Sequence, residues 1–269
     1  MNLSKYTSRT AATAAAVALA LSLIGPAKAG ELELLQPGVL KCSTEVGYPP
    51  YSFQTKDGQR DGLTIRLMTE VTKRLGLKFE YVLTKWETVL IGLLASKYDM
   101  ACSTMAITKE RQERVMFTDG WIEGGGVVVV HKDSDIKTLA DVEGRNIGVL
   151  VASTSVPLAK PLKPSELKYY KSDTDSLHDV INGNLDSMIT EVLTASFIIK
   201  NAGKPLRLVP GYLNRSQTAL VLRQDQVNLA AAINKTVAEM VADGTYAKLT
   251  SGLIGFSPYP EKPIRTIFK

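Results

Sequence analysis

Apolar residues recur along this chain in two alternating rhythms, short runs of strand type and longer stretches with a helical period. Val39–Thr44 has the length and content of a strand, and Leu67, Met68, Val71 and Leu75 then share one face of a helix that stops at Gly76. Within Lys78–Leu83, Phe79, Tyr81 and Leu83 alternate with Lys78 and Glu80, the period of a half-buried strand. Val89, Leu90, Leu93 and Leu94 mark the next helix, and residues 99–103 a third strand. Strand and helix in strict alternation predict a mainly parallel α/β build.

The same alternation resumes after the continuous apolar run 127–130, long enough for a strand buried on both faces. Asn146–Leu150, residues 167–170, 185–189 and 206–209 read as strands, with helices ending near Gly183 and starting at Val192. Residues 218–222 form another apolar run, and Leu229, Ile233, Val237, Met240 and Val241 give Val227–Ala242 a long apolar stripe. A second lobe inserted within the first accounts for this order, with 127–130 and 218–222 as the two crossing strands. The expected organisation is 30–128 in the first lobe, 129–218 in the second and 219–269 back in the first.

Composition changes the picture mainly at the N-terminus. Lys5 and Arg9 precede the apolar run 11–24, and Ala27-Lys28-Ala29 follows as a small-x-small cleavage site, so residues 1–29 read as an export signal. The run falls short of the roughly 20 residues a bilayer span needs. No Cys follows to accept a lipid, which predicts a soluble periplasmic product beginning at Gly30. Lys5, Arg9 and Lys28 leave with the signal, and the net charge of the chain, +5 in full, drops accordingly toward neutrality. Without a basic block interleaved with aromatics, nucleic acid is excluded as a partner. Cys42 and Cys102 each sit in an apolar run, and a disulfide and two buried thiols fit that pattern equally. With His131 and His178 in different contexts, neither a metal site nor a catalytic histidine pair is expected. No cofactor is called for, since Gly124-Gly125-Gly126 precedes its strand and lacks a following Lys-Ser/Thr.

The chemistry concentrates around Ser103-Thr104-Met105-Ala106-Ile107-Thr108-Lys109-Glu110-Arg111. A strand there gives way to a polar loop and a helix that Thr108 can cap, so the planar guanidinium fork of Arg111 stands where it can grip a small carboxylate. This stretch resembles a signature of the polar amino-acid-binding proteins that feed bacterial ABC importers. The resemblance continues through Gly47-Tyr48-Pro49-Pro50-Tyr51-Ser52-Phe53, Lys56-Asp57-Gly58, Trp86, Leu139-Ala140-Asp141-Val142-Glu143-Gly144-Arg145-Asn146-Ile147-Gly148-Val149 and Gly183-Asn184-Leu185-Asp186-Ser187-Met188-Ile189-Thr190-Glu191, in order.

That family implies the two-lobe type II periplasmic-binding-protein fold, each lobe a mainly parallel sheet flanked by helices. It also implies a ligand site on Glu45, Tyr48, Trp86, Ser103, Thr104, Ala106, Arg111, Thr154 and Glu191. Arg111 and Thr154 would hold the ligand's carboxylate, although Thr154 also suits a plain helix cap. Ser103 and Thr104 offer hydroxyls that could equally be satisfied locally. Glu191 follows a buried strand, at the sheet edge where α/β ligands lie, and would hold an ammonium; a solvated Glu at a helix start is the competing reading. Tyr48 and Trp86 would form apolar walls, and Glu45, if it faces the cleft, disfavours acidic ligands.

Four places depart from the family pattern: Gly62-Leu63-Thr64-Ile65-Arg66-Leu67 lacks acidic residues, and Phe117-Thr118-Asp119-Gly120-Trp121 lacks a Pro-aromatic pair. Val151-Ala152-Ser153-Thr154 lacks a Gly, and Glu191 replaces a commoner Asp. The expected partners are a small amino acid or derivative, opine-like conjugates included, and an inner-membrane ABC permease, with the protein a monomer. A chemosensory module would present its closed form to a chemoreceptor. An enzyme on the same fold, of the cyclohexadienyl dehydratase kind, would need a Glu three residues beyond Glu191, where this chain has Thr194.

Overall fold

A computed structural model describes residues 31–45 and 47–268. The expected export signal, residues 1–29, lies outside the described residues. Two large sheets and a short two-stranded one, β2 (Phe53–Gln54) with β3 (Arg60–Asp61), organise the chain from Glu33 onward, which forms one compact unit. The first has the order β4 (Lys78–Leu83), β1 (Val39–Thr44), β5 (Met100–Ala106), β13 (Ser216–Leu222) and β6 (Met116–Phe117), with β7 (Ile122–Gly124) also paired to β13. The second has the order β10 (Glu166–Tyr170), β9 (Asn146–Leu150), β11 (Ser187–Glu191), β8 (Gly126–His131) and β12 (Leu206–Leu208).

β4, β1 and β5 run parallel, as do β10, β9 and β11, while β13 and β8 run antiparallel to their neighbours β5 and β11. β8 and β13 are the first strands the chain forms after each passage between the sheets, so their reversed direction follows from the insertion of one lobe in the other. In β8 the continuous valine run is explained by two-sided burial. Val128 and Val130 enter one core with Ile147, Val149 and Ile189, and Val127 and Val129 enter another with Leu177, Val180 and Met188. The first lobe packs Val89, Leu93, Tyr98, Met105 and Val221 beneath its sheet.

The expected positions 128/129 and 218/219 both fall inside a strand, β8 and β13. β7 ends in the first sheet at Gly124 and β8 begins in the second at Gly126, so the outward crossing is at Gly125, with φ +154°. A Cβ there would run into the Asn214 carbonyl, so the crossing requires glycine. The return lies ahead of β13: Leu213 N still donates to Gly126 O at 2.9 Å, whereas Ser216 already pairs with Gly124. Apolar content marks where a strand is buried but not which sheet receives it, hence the displacement by a few residues.

Several elements differ from the sequence pattern. β5 runs three residues past Ser103, to Ala106, because it gains β13 as a neighbour, with Thr218 opposite Ala106. β11 is shifted by two residues to end at Glu191, and a helix at Thr245–Ile254 follows Val227–Ala242. Cys42 of β1 and Cys102 of β5 form a disulfide, resolving the two readings left open by their apolar surroundings.

Candidate functional site

Every parallel strand of both sheets ends toward one cleft. β4 is followed by Trp86, β1 by Glu45, and β5 by the turn to Arg111; across from them, β9 leads to Thr154, β10 to Asp173, and β11 ends in Thr190 and Glu191. All of these except the backbone connections themselves line a single cavity, together with Tyr48, Thr104, Ala106 and Asn214. Loops at the carboxyl ends of strands are where an open α/β sheet has no neighbouring element to fill the space. The cavity offers about 70 Å³ to the centres of water-sized molecules, room for several waters or one small solute.

The cleft is bridged. Trp86 Nε1 donates to Val151 O at 3.0 Å, Arg111 Nη2 to Ala152 O at 3.4 Å, Tyr51 Oη to Glu191 Oε2 at 3.1 Å, and Thr174 Oγ1 to Gly47 O at 3.3 Å. Phe53 and Phe197 add a ring contact at 5.6 Å.

Arg111 is placed by its own helix start. Thr108 Oγ1 accepts from Arg111 N at 3.3 Å, and Arg111 Nη1 donates back to Ala106 O at 3.0 Å. Its Cζ lies 5.6 Å from the centroid of the Trp86 ring. Burial lowers its affinity for a proton from the ordinary guanidinium range, and no carboxylate of the cleft offsets that. Its remaining donors therefore suit an anion. Thr104, in the left-handed region at φ +35°, shares a hydrogen bond of 2.9 Å with Thr64 Oγ1. A non-glycine residue held there is strained, a feature that gathers at ligand sites.

Two expected residues stand differently from their sequence reading. Ser103 does not line the cavity; its side chain is buried, and its hydroxyl has no hydrogen-bond partner among the described residues. This follows from β5 continuing as a strand, since alternate residues then face opposite sides. Thr154 lines the cavity, but the helix it opens, Ser155–Ala159, is only five residues long and receives no cap from its side chain. Ser153 Oγ supplies that bond instead, accepting from Ser155 N at 3.1 Å.

Glu191 reaches the cavity, yet much of its carboxylate is already engaged. Oε1 accepts from Gly125 N at 2.5 Å, and Oε2 accepts from Leu193 N at 2.9 Å as well as from Tyr51. Of about four acceptor positions on a carboxylate, three are filled and one remains. Burial raises its proton affinity and these donors oppose the rise.

Asp173, Thr190, Asn214 and Thr218 also line the cavity, and the sequence reading proposes none of them as a ligand residue. Asp173 opens the helix Asp173–Asn182, capped by Ser172, and reads in sequence as an acidic first-turn residue. The signal that finds it is positional, since it follows β10 as Glu45 follows β1. Burial pushes Asp173 up to about 6 and Glu45 up to about 7, each aggravated by another carboxylate: Glu191 for the first, Asp173 and Glu87 for the second. Among the described residues no group of three or more His, Cys, Asp or Glu can hold a metal, and no helix is long and apolar enough to cross a membrane.

Comparison with known proteins agrees with this layout. The L-cystine-binding protein TcyJ of Escherichia coli (strain K12) is 27% identical over 221 residues, 81% of this chain and 83% of its own length. The lysine/arginine/ornithine-binding periplasmic protein of the same strain is 29% identical over 253 residues, 90% of this chain and 97% of its own. Among solved structures, the ancestral amino acid-binding protein AncCDT-1, a precursor of cyclohexadienyl dehydratase, superimposes with a TM-score of 0.73 at 29% identity, over 81% of this chain and 95% of that one. The two-lobed α/β architecture is that of the type II periplasmic binding proteins. The family model for bacterial extracellular solute-binding proteins, family 3, matches residues 40–255, and the chain belongs to that family.

Proposed function

We propose that the protein is a periplasmic receptor that captures an amino acid or an amino-acid derivative between its lobes and delivers it to an ABC permease in the inner membrane. The observation that carries this reading is Arg111, a half-buried guanidinium in the cleft between the two sheets that, among the described residues, forms no ion pair and feels only Glu110 of its own helix. A ligand carboxylate takes that fork, and the open acceptor position on Glu191 Oε1 takes its ammonium. Tyr48 and Trp86 flank the aliphatic part, and Thr104, Ala106 and Thr154 line the carboxylate end. Closure brings both halves of the site together, so the ligand binds the closed form best and shifts the lobes toward it.

The dehydratase reading has less support. The position three residues beyond Glu191 is Thr194, buried in its helix, and a hydroxyl is a poor general acid for expelling water at neutral pH.

The test is the mass of whatever small molecule leaves with the protein on purification, followed by titration calorimetry with the common amino acids and an opine-like conjugate. An amino-acid mass and a saturable heat support the reading. A protein that binds none of them and turns over prephenate or arogenate overturns it.

A further inference from the structure

The cleft contains more negative charge than a zwitterion can answer. Arg111 brings one positive charge, while Glu45, Asp173 and Glu191 bring three carboxyl groups. Glu191 is held by Gly125 N, Leu193 N and Tyr51 Oη. Among the described residues no cation acts on Asp173 or Glu45, and the Ser103 hydroxyl makes no hydrogen bond to the latter. Glu45 Oε1 is a buried atom without a hydrogen-bond partner. The Thr218 hydroxyl, in a residue 4% exposed that lines the same cavity, is also unpartnered. Buried polar groups are normally satisfied, so these point to donors that a ligand brings.

Resting on the amino-acid reading above, we propose that Asp173 is a specificity-determining residue which, with Glu45, holds a second, side-chain cation of the ligand. The ligand is then an amino acid or derivative with one carboxylate, one α-ammonium and a further amine or guanidinium. The two carboxylates come from different lobes, Glu45 after β1 and Asp173 after β10, so a cation between them favours the closed form. Without it, two like charges face each other across the cleft and favour opening. A neutral side chain of similar length leaves both carboxyl groups unpaired, and an acidic one adds a third negative charge.

The experiment is calorimetry of the full mature chain with L-arginine, L-lysine, L-glutamine and L-glutamate, at one pH and salt, repeated in Asp173→Asn and Glu45→Gln. The native protein should bind arginine or lysine at least about tenfold more tightly than glutamine, and glutamate least. Asp173→Asn should weaken the cationic ligand by about tenfold or more and leave glutamine within about threefold, because only the side-chain charge loses its partner. Glu45→Gln should shift the ranking in the same direction and serves if Asp173→Asn fails to fold. Equal weakening of arginine and glutamine would make Asp173 structural and overturn the assignment, as would a native preference for glutamine. Binding of glutamine alone sinks this inference and leaves the amino-acid reading standing; binding of none of the four sinks the cationic class, and the mass of the co-purifying molecule then decides the reading itself.

Discussion

Arg111 and Trp86 act as one unit against the facing lobe: the guanidinium lies 5.6 Å from the indole centroid, and the two side chains donate to the consecutive carbonyls of Ala152 and Val151. Both come from the first lobe, and the turn they reach runs on to Ser153 and Thr154, which line the cavity. The ring fixes the plane of the fork, and the two interlobe bonds fix its distance from Thr154. A ligand carboxylate entering there meets donors already held in a plane.

Arg111→Ala should therefore nearly abolish amino-acid binding, a loss of about 3 to 5 kcal/mol for leaving a buried charge without its partner. Arg111→Lys should also bind poorly, since a single ammonium reproduces neither the planar fork nor its stacking on Trp86. Calorimetry is the readout, with circular dichroism to establish that each variant is folded. Near-native affinity in either would remove Arg111 from the carboxylate site.

The Cys42–Cys102 disulfide joins the two strands that carry Glu45 and Thr104, and it closes a loop with a sequence separation of 60 residues. Loop-closure entropy for a loop of this size gives a stabilisation of about 4 kcal/mol. Reduction, or the double substitution Cys42→Ala/Cys102→Ala, should lower the denaturant midpoint by a corresponding amount. Unchanged midpoints with and without reductant would show that the cross-link contributes nothing to stability.

The sequence pattern located most strands, and eight of the nine expected residues line the cavity, because both depend on local order: apolar rhythm for the strands, and the polar residue just past each strand for the site. What it could not supply were partners distant in the chain. Glu191 was visible as an acid at a helix start, but its bond to Gly125 N joins positions 66 residues apart. Asp173 was hidden for the opposite reason, since an acid in the first turn of a helix needs no further explanation until the cavity shows which way it faces. Ser103 lies outside the cavity lining because residues 104–106, which look like a loop in isolation, become strand when β13 pairs with them.

The raised carboxyl groups predict an unusual pH dependence for the ligand-free protein. Glu45 rises from 4.5 to about 7 and Asp173 from 3.8 to about 6, each chiefly through burial. Folded, both bind a proton more tightly than when unfolded, so their contribution is complete below those ordinary values and is lost as pH rises through about 6 to about 7. The other charged groups involved are Asp173 and Glu87, which act on Glu45, and Glu191, which acts on Asp173. Glu45→Gln should match the native protein in stability at pH 4 and exceed it at pH 8 by on the order of 2 kcal/mol. Chemical denaturation at the two pH values measures the difference, and an equal gain at both would mean that ionisation of Glu45 is not its source.

Gly124 and Glu191 make the last test, because each constrains the other at the crossing between lobes. A Cβ on Gly124 would collide with Glu191 Oε1, the atom that accepts from Gly125 N. Gly124→Ala should thus destabilise the protein by about 1 to 3 kcal/mol, the cost of overpacking or of displacing the carboxylate from its donor. Glu191→Asp should also destabilise it, since a side chain shorter by one methylene cannot hold Gly125 N while capping the helix at Leu193. The same shortening clears the space that the new methyl needs. The double variant should then lose less than the two single losses combined, with a favourable coupling of about 0.5 to 3 kcal/mol in a double-mutant cycle. Strict additivity would show that the Glu191 carboxylate does not occupy the space beside Gly124 in solution, and that the bond to Gly125 does not lock the crossing.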